Sequence, residues 1–352
     1  MFITSPLYKQ DIENISSGNI DWNFYRNKKI LITGGNGLIG SFLIDLLMHR
    51  NIRHNDNIGI YTIGRNRQKT VKRFKDYFGF PCFDFIEHDL LHPLNRKLNI
   101  DFVIHGASNT HPRAYASAPI DTILVSVYGT KNILDFSFEN NVKRVLFLSS
   151  VEIYGSNRGD VELFDENYCG YIDPNTIRAG YPEGKRAAES LCQAYICQKN
   201  LDILIARCSR VYGPTMGDDD SKAIAQFLRN AAINEDIVLK SKGGQLFSYC
   251  YVADVCSALL YLLPLGDKGN AYNIAGPDLD TDLRQIALLL ASFNNTKLKF
   301  EEPSNLEAMG FSKASKALLD SSKIEALGWH PLFNLHDGLE RTVAVLKQMQ
   351  SK

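Results

Sequence analysis

Lys28-Lys29-Ile30-Leu31-Ile32-Thr33-Gly34-Gly35-Asn36-Gly37-Leu38-Ile39-Gly40-Ser41-Phe42-Leu43-Ile44-Asp45-Leu46-Leu47 reads as a buried strand, a glycine turn and a helix. The uninterrupted Ile30-Leu31-Ile32 run suits a central parallel strand, and after Gly40 the apolar side chains recur at helical spacing, so one helix face returns to the strand. Gly34 and Gly35 permit the tight turn, Gly37 lets a pyrophosphate approach the backbone, and Gly40 lets the helix lie close to the sheet. The phosphates then meet the helix N-terminus at Leu38 and Ile39. A Gly-x-Gly-x-x-Gly alone is a weak signal, but a strand before it and a helix after it make it a dinucleotide site.

Outward from this unit, Asn57–Ile63 is the second strand and runs into Gly64-Arg65-Asn66-Arg67. In a dinucleotide fold a carboxylate roughly 20 residues past the glycines binds the 2′-hydroxyl of NAD, whereas an arginine there accommodates the 2′-phosphate of NADP. Between Ile58 and Gln68 the chain has no Asp or Glu but has Arg65 and Arg67, so NADP(H) is favoured, with NAD as the alternative. A third strand, Phe83–Glu87, precedes His88-Asp89-Leu90, and a fourth, Asp101–His105, precedes Gly106-Ala107-Ser108. Ligands in open parallel sheets lie past the carboxyl ends of the strands. This makes Asp89 and Leu90 candidates for the adenine, and Ala107 and Ser108 candidates for the ribose and phosphates. A helix from about Ile120 to Asn140 leads to a fifth strand, Arg144–Leu148, and the alternation predicts a Rossmann-type doubly wound parallel α/β sheet. A smaller C-terminal α/β substrate domain, with amphipathic stretches at Ile224–Ala231 and Leu283–Ser292, is expected to follow. The expected division is an extension over 1–27, a dinucleotide-binding domain over 28–205 with returning segments at 250–278, and a substrate domain over 206–249 and 279–352.

Of the 352 residues 45% are hydrophobic, and Lys+Arg and Asp+Glu both number 39, so no net field draws the chain to nucleic acid or an anionic membrane. Anionic ligands must therefore be held by local cations. The seven cysteines are scattered without a Cys-x-x-Cys pair, which suits reduced core thiols in a cytoplasmic protein and argues against a zinc site or a disulfide framework. No basic segment followed by an apolar core opens the chain, and no apolar run is long enough to span a bilayer.

The fifth strand opens into Ser149-Ser150-Val151-Glu152-Ile153-Tyr154-Gly155, and Tyr181-Pro182-Glu183-Gly184-Lys185 comes later. On a helix Tyr181 and Lys185 stand one turn apart on one face. A tyrosine of ordinary pKa about 10 is a poor acid-base group at neutral pH, and a lysine cation beside it, together with a nicotinium ring, favours the phenolate. Ser150, at a strand end, is placed to hydrogen-bond the substrate oxygen.

With these residues the chain resembles the extended short-chain dehydrogenases/reductases that act on nucleotide sugars, the NAD-dependent epimerase/dehydratase group. They include epimerases, 4,6-dehydratases, uronate decarboxylases and 4-ketoreductases. The resemblance spans roughly residues 28 to 345. Besides the glycine loop, the Ser149-Ser150 turn and the Tyr181–Lys185 pair, it rests on Arg207-Cys208-Ser209-Arg210-Val211-Tyr212-Gly213-Pro214, Tyr251-Val252-Ala253-Asp254, Tyr272-Asn273-Ile274-Ala275-Gly276 and Leu327-Gly328-Trp329-His330-Pro331. It implies hydride exchange between a nicotinamide and a sugar carbon, with Tyr181 as acid-base, Lys185 on the nicotinamide ribose and Ser150 on the sugar oxygen. It also implies a homodimer through a four-helix bundle made by the helices near 120–140 and 181–196.

The departures from that pattern bear on the reaction. Dehydratases of the family place an acid pair after the catalytic hydroxyl residue, and here those positions are Val151 and Glu152. The family usually has Asn where this chain has Arg210, and Arg where it has Phe247, so one phosphate-facing cation is lost and another is gained nearby. Lys222 also faces the diphosphate by resemblance. The first expectation is therefore an NADPH-dependent 4-ketoreductase of a nucleotide-linked 4-keto-6-deoxy sugar, as used for surface polysaccharides. It needs only Ser150, Tyr181 and Lys185. The second is a dehydratase, uronate decarboxylase or 4-epimerase that retains NAD, with Glu152 as a further catalytic group, and a non-catalytic NADP-binding sensor or scaffold stands third.

Overall fold

The structure, a computed structural model, describes residues 2–312 and 314–350. Among them thirteen strands follow in chain order: β1 (Lys29–Thr33), β2 (Gly59–Gly64), β3 (Phe83–Glu87), β4 (Phe102–His105), β5 (Arg144–Ser150), β6 (Ile203–Cys208), β7 (Arg210–Tyr212), β8 (Ile237–Leu239), β9 (Leu246–Tyr251), β10 (Ala271–Ile274), β11 (Asp280–Asp282), β12 (Leu298–Phe300) and β13 (Lys316–Ala317). Seven of them form one parallel sheet in the order β10-β6-β5-β4-β1-β2-β3. The chain travels outward from β1 to β3, then returns to lay β4 on the other side of β1. The crevice at that reversal opens at the carboxyl ends, Thr33 and His105, where open α/β sheets bind their ligands.

Alternation along β1 explains the two layers. Ile30 and Ile32 face a core shared with the helices Leu38–His54 and Val252–Leu265, while Leu31 faces a second core with Ile133, Leu134, Ala188 and Cys192. Each fully buried side chain of this size contributes about 1.5–3 kcal/mol. The smaller sheets lie toward the C-terminus: β11, β9 and β13 with β7 paired to β9, and β12 with β8. These two sheets pack with the helices Ala223–Ala232 and Leu283–Ser292.

Three local differences from the sequence reading have physical causes. β5 continues through Ser149 and Ser150, because both pair with Arg207 and Cys208 of β6. The helix expected from Ile120 to Asn140 is a continuous run of Pro119–Leu124, a π-helical turn at Val125–Gly129, and Thr130–Glu139. The N-terminal extension folds as a helix, Pro6–Ser16, capped by Ser5 and packed on Leu38–His54. There the buried Asp45 accepts from the Tyr8 hydroxyl at 2.7 Å and the Tyr77 hydroxyl at 3.0 Å, and pairs with Arg73. Asp45, a buried carboxylate of that helix, thus ties the extension down through Tyr8.

Candidate functional site

A cleft of about 880 Å³ runs from the glycine loop past Ser150 and Tyr181 to the segment Leu239–Gln245. Its floor cannot carry side chains. Gly34 has φ +76° and a Cβ there would lie 2.9 Å from Gly106 C, while a Cβ on Gly40 would lie 2.4 Å from the Gly34 carbonyl oxygen. Gly37 caps the helix that begins at Leu38 and Ile39, so a bare backbone and unpaired helix amides face the cleft. This cradle fits the pyrophosphate of a dinucleotide. The neighbouring turn is fixed by Thr33, whose hydroxyl oxygen accepts from the Gly106 and Ala107 amides at 3.1 and 3.0 Å and lies 2.7 Å from His105 Nδ1. With both amides accepted, the Thr33 hydroxyl donates to Nδ1, leaving Nε2–H for Thr130 Oγ1 at 3.2 Å. Burial pushes the His105 imidazole down to about 3, so it is neutral and serves as a brace that sets Ala107 and Ser108 in the cleft wall.

At the adenosine end the cleft is lined by Arg65, Asn66, Asp89 and Leu90 as the sequence suggests, and also by Lys69. Arg67 is not among the lining residues. Asn66 caps the helix Arg67–Phe74 by accepting from the Lys69 amide at 2.8 Å, and that phase turns Arg67 over the Phe85 ring, 5.9 Å from its centroid. Lys69 faces Asp219 at 3.6 Å across the cleft mouth. Lys222 lines the cleft too, its ammonium donating to Asp220 at 2.9 Å.

The end of the cleft that carries Ser150, Tyr181 and Lys185 is built on β5 and the helix Gly180–Lys199. Burial pushes the Tyr181 phenol up to about 12, with the Ser150 hydroxyl beside it pulling the other way. Burial likewise pushes the Lys185 ammonium down to about 8, and its Nζ donates to the Leu148 carbonyl at 2.7 Å. The expectation was that Lys185 together with a nicotinium ring favours a phenolate; in the unliganded chain burial raises the phenol, and the ammonium donates to a carbonyl. The Tyr115 ring stacks on Tyr181 with centroids 4.9 Å apart, and the Arg178 guanidinium covers Tyr115 at 4.7 Å. Glu152 is held from both sides, Arg178 Nη2 donating to one carboxylate oxygen at 2.8 Å and Arg210 Nη2 to the other at 3.4 Å. The Arg210 guanidinium lies over Phe247, 3.6 Å from the ring centroid, and Val151, which follows Ser150, is buried.

A family profile described as NAD dependent epimerase/dehydratase family matches residues 30–275. The chain belongs to that family. Among curated relatives, UDP-glucuronic acid decarboxylase 3 of Arabidopsis thaliana is 32% identical over 313 residues, covering 89% of this chain and 87% of the relative. UDP-glucuronic acid decarboxylase 1 of Xenopus tropicalis is 30% identical over 318 residues, covering 90% and 71%. Among solved structures, the dTDP-glucose 4,6-dehydratase DesIV of Streptomyces venezuelae, crystallised with NAD, superposes with a TM-score of 0.78 at 23% identity over 92% of this chain and 98% of that one. The UDP-glucuronic acid 4-epimerase of Bacillus cereus, in complex with UDP-glucuronic acid and NAD, gives 0.76 at 21% identity over 91% and 99%. The seven-stranded parallel sheet is thus that of the NAD dependent epimerase/dehydratase family.

Within this family chain, sequence reasoning passed over Tyr115, Arg178, Lys69 and the Thr33–His105–Thr130 brace. Arg178 sits three residues before Tyr181, but only the fold brings it against Glu152, and Tyr115 comes from a short helix, Pro112–Ser117, with no periodic signal. His105 offered a signal: an imidazole ending an apolar strand needs two partners in a buried site. No helix among the described residues is long and apolar enough to cross a membrane.

Proposed function

We propose that the protein decarboxylates a nucleotide-linked uronic acid, with UDP-glucuronic acid as the first substrate to test. The observation that carries this reading is the position after the catalytic serine: Val151 can move no proton, whereas Glu152, held by Arg178 and Arg210, stands where a sugar acid would meet charge. The decarboxylase relatives, at 30–32% identity over nine-tenths of the chain, support it and reverse the order expected from sequence, in which the ketoreductase came first.

When bound at the glycine cradle, a nicotinamide dinucleotide supplies a hydride acceptor and returns the hydride. Tyr181 takes the C4 hydroxyl proton on its phenolic oxygen and later gives it back, while Ser150 hydrogen-bonds the same sugar oxygen and stabilises its charge. A C4 ketone stands β to the C6 carboxylate, so the C5–C6 bond breaks with its electron pair passing to the C4 oxygen and carbon dioxide leaves. No acid is needed at C6. C5 then takes a proton from solvent water, which Glu152, as a carboxylate beside Ser150, would orient by accepting a hydrogen bond from it. Lys185 would hold the nicotinamide ribose.

The test is to incubate the protein and UDP-glucuronic acid with a catalytic amount of oxidised dinucleotide and follow the product mass. Loss of carbon dioxide without net reductant consumption is expected, and Tyr181→Phe should abolish it while still binding the dinucleotide. Arg65 and the missing carboxylate at the end of β2 favour a second reading, the NADPH-dependent 4-ketoreductase. Stoichiometric NADPH consumption with a 4-keto-6-deoxy nucleotide sugar, and no carbon dioxide from the uronic acid, would establish it instead. The same two features favour NADP(H) over NAD as the bound dinucleotide. The homodimer through the helices near 120–140 and 181–196 draws support from Ile120, Tyr128 and Phe138, which are exposed on the first of them.

A further inference from the structure

We propose that Arg210, laid on Phe247, is the specificity-determining cation that recognises a carboxylate on the substrate sugar. This rests on the reading of the substrate as a nucleotide-linked sugar acid. The two departures in sequence are neighbours in space. β7 and β9 pair in parallel with Arg210 opposite Tyr249, and Phe247, two residues earlier on β9, projects from the same face. Phe247 is only 2% exposed, and its ring supports the guanidinium at 3.6 Å, leaving the Arg210 fork pinned between an aromatic face and Glu152.

The charge around Glu152 is incomplete. Two guanidinium groups share one carboxylate, and Arg210 Nε together with Arg178 Nε and Nη1 is buried without a hydrogen-bond partner. A buried donor left unpaired in this way is destabilising, and a ligand that accepts from it relieves the cost. A single further negative charge would neutralise the cluster. A planar carboxylate matches the guanidinium fork, and the space exists: a second cavity of about 300 Å³ shares Val151, Glu152, Arg210, Phe247 and Ser312 with the main cleft. The diphosphate has other cations to meet along the cleft, Lys222, Lys240 and Lys242, whereas Arg210 is joined through Glu152 to Ser150 at the reacting end.

The experiment measures dissociation constants of UDP-glucuronic acid, UDP-glucose and UDP on the dinucleotide-saturated protein. The readout is the preference for the acid over UDP in wild type, Arg210→Gln, Arg210→Lys and Phe247→Leu. Arg210→Gln should weaken UDP-glucuronic acid on the order of tenfold or more and leave UDP-glucose and UDP within about twofold. Arg210→Lys keeps the charge but not the fork, and Phe247→Leu removes the platform. Both should lower the preference less, and they decide the matter if the glutamine variant does not fold. Equal weakening of all three ligands would assign Arg210 to the diphosphate, and an unchanged preference in every variant would leave it only a partner of Glu152; either overturns the proposal. Carbon dioxide release that Arg210→Gln leaves untouched sinks this inference and spares the decarboxylase. Selective binding of the acid without carbon dioxide release does the reverse. If the wild type binds none of the three ligands, both fall.

Discussion

Replacing Gly40 by alanine tests whether the glycine loop is a dinucleotide cradle or only a tight turn. An added Cβ would lie 2.4 Å from the Gly34 carbonyl oxygen and 2.8 Å from Gly35 Cα, against 3.4–4 Å for ordinary contact. Both neighbours are backbone, so no side-chain rotation relieves the clash, and the start of the helix must move off the loop by roughly 1 Å. Overpacking of this kind costs about 1–3 kcal/mol of stability. The same displacement carries the helix amides away from the phosphates, and a loss of about 1.4–3 kcal/mol of binding corresponds to roughly 10- to 100-fold in affinity. Gly79→Ala is the control, since a Cβ there meets nothing within 4 Å. Urea unfolding would read the stability and fluorescence titration the affinity for reduced dinucleotide. If Gly40→Ala binds dinucleotide within about twofold of wild type while remaining folded, the helix terminus does not hold the phosphates and the reasoning fails.

Arg65→Ala should weaken NADPH on the order of tenfold and leave NADH almost unchanged, because only NADPH carries the extra phosphate dianion. Titration of both reduced cofactors checks this, and equal affinity of the wild type for the two would refute it. Lys185 gives a pH signature in the unliganded protein. Below pH 8 folded and unfolded chains both hold its proton and the folded one bears the burial cost; between about 8 and 10.5 the folded chain has released a proton that the unfolded chain keeps, so stability rises with pH. Compared with Lys185→Met by urea unfolding across that window, the wild type should gain about 3 kcal/mol at most. A stability difference independent of pH would show that the ammonium is not desolvated.

What was legible in the sequence is what local spacing encodes. The Ile30–Gly40 unit, the strand ends at Asp89 and Ala107, and the i, i+4 relation of Tyr181 to Lys185 all lie within one or two elements, and the structure places each on the same cleft. Arg67 falls outside the cleft lining because Asn66 caps the helix that Arg67 begins, and that phase turns Arg67 over Phe85. The charged cluster was legible only in part: Glu152, Arg210 and Phe247 stood out as departures, but Tyr115 and Arg178 come from separate segments that only the fold brings to them. The ordering of reactions turned on a different matter. Arg65 and the absent carboxylate speak to which dinucleotide is bound, but an enzyme that returns its hydride to the sugar regenerates either dinucleotide with every turnover. Cofactor preference therefore does not exclude an internal redox cycle. On the proposed reading, the residues that separate the reactions are those lining the cleft beside Ser150: Val151 removes a proton carrier that a dehydratase would need, and Arg210 would add a cation that selects an acidic sugar.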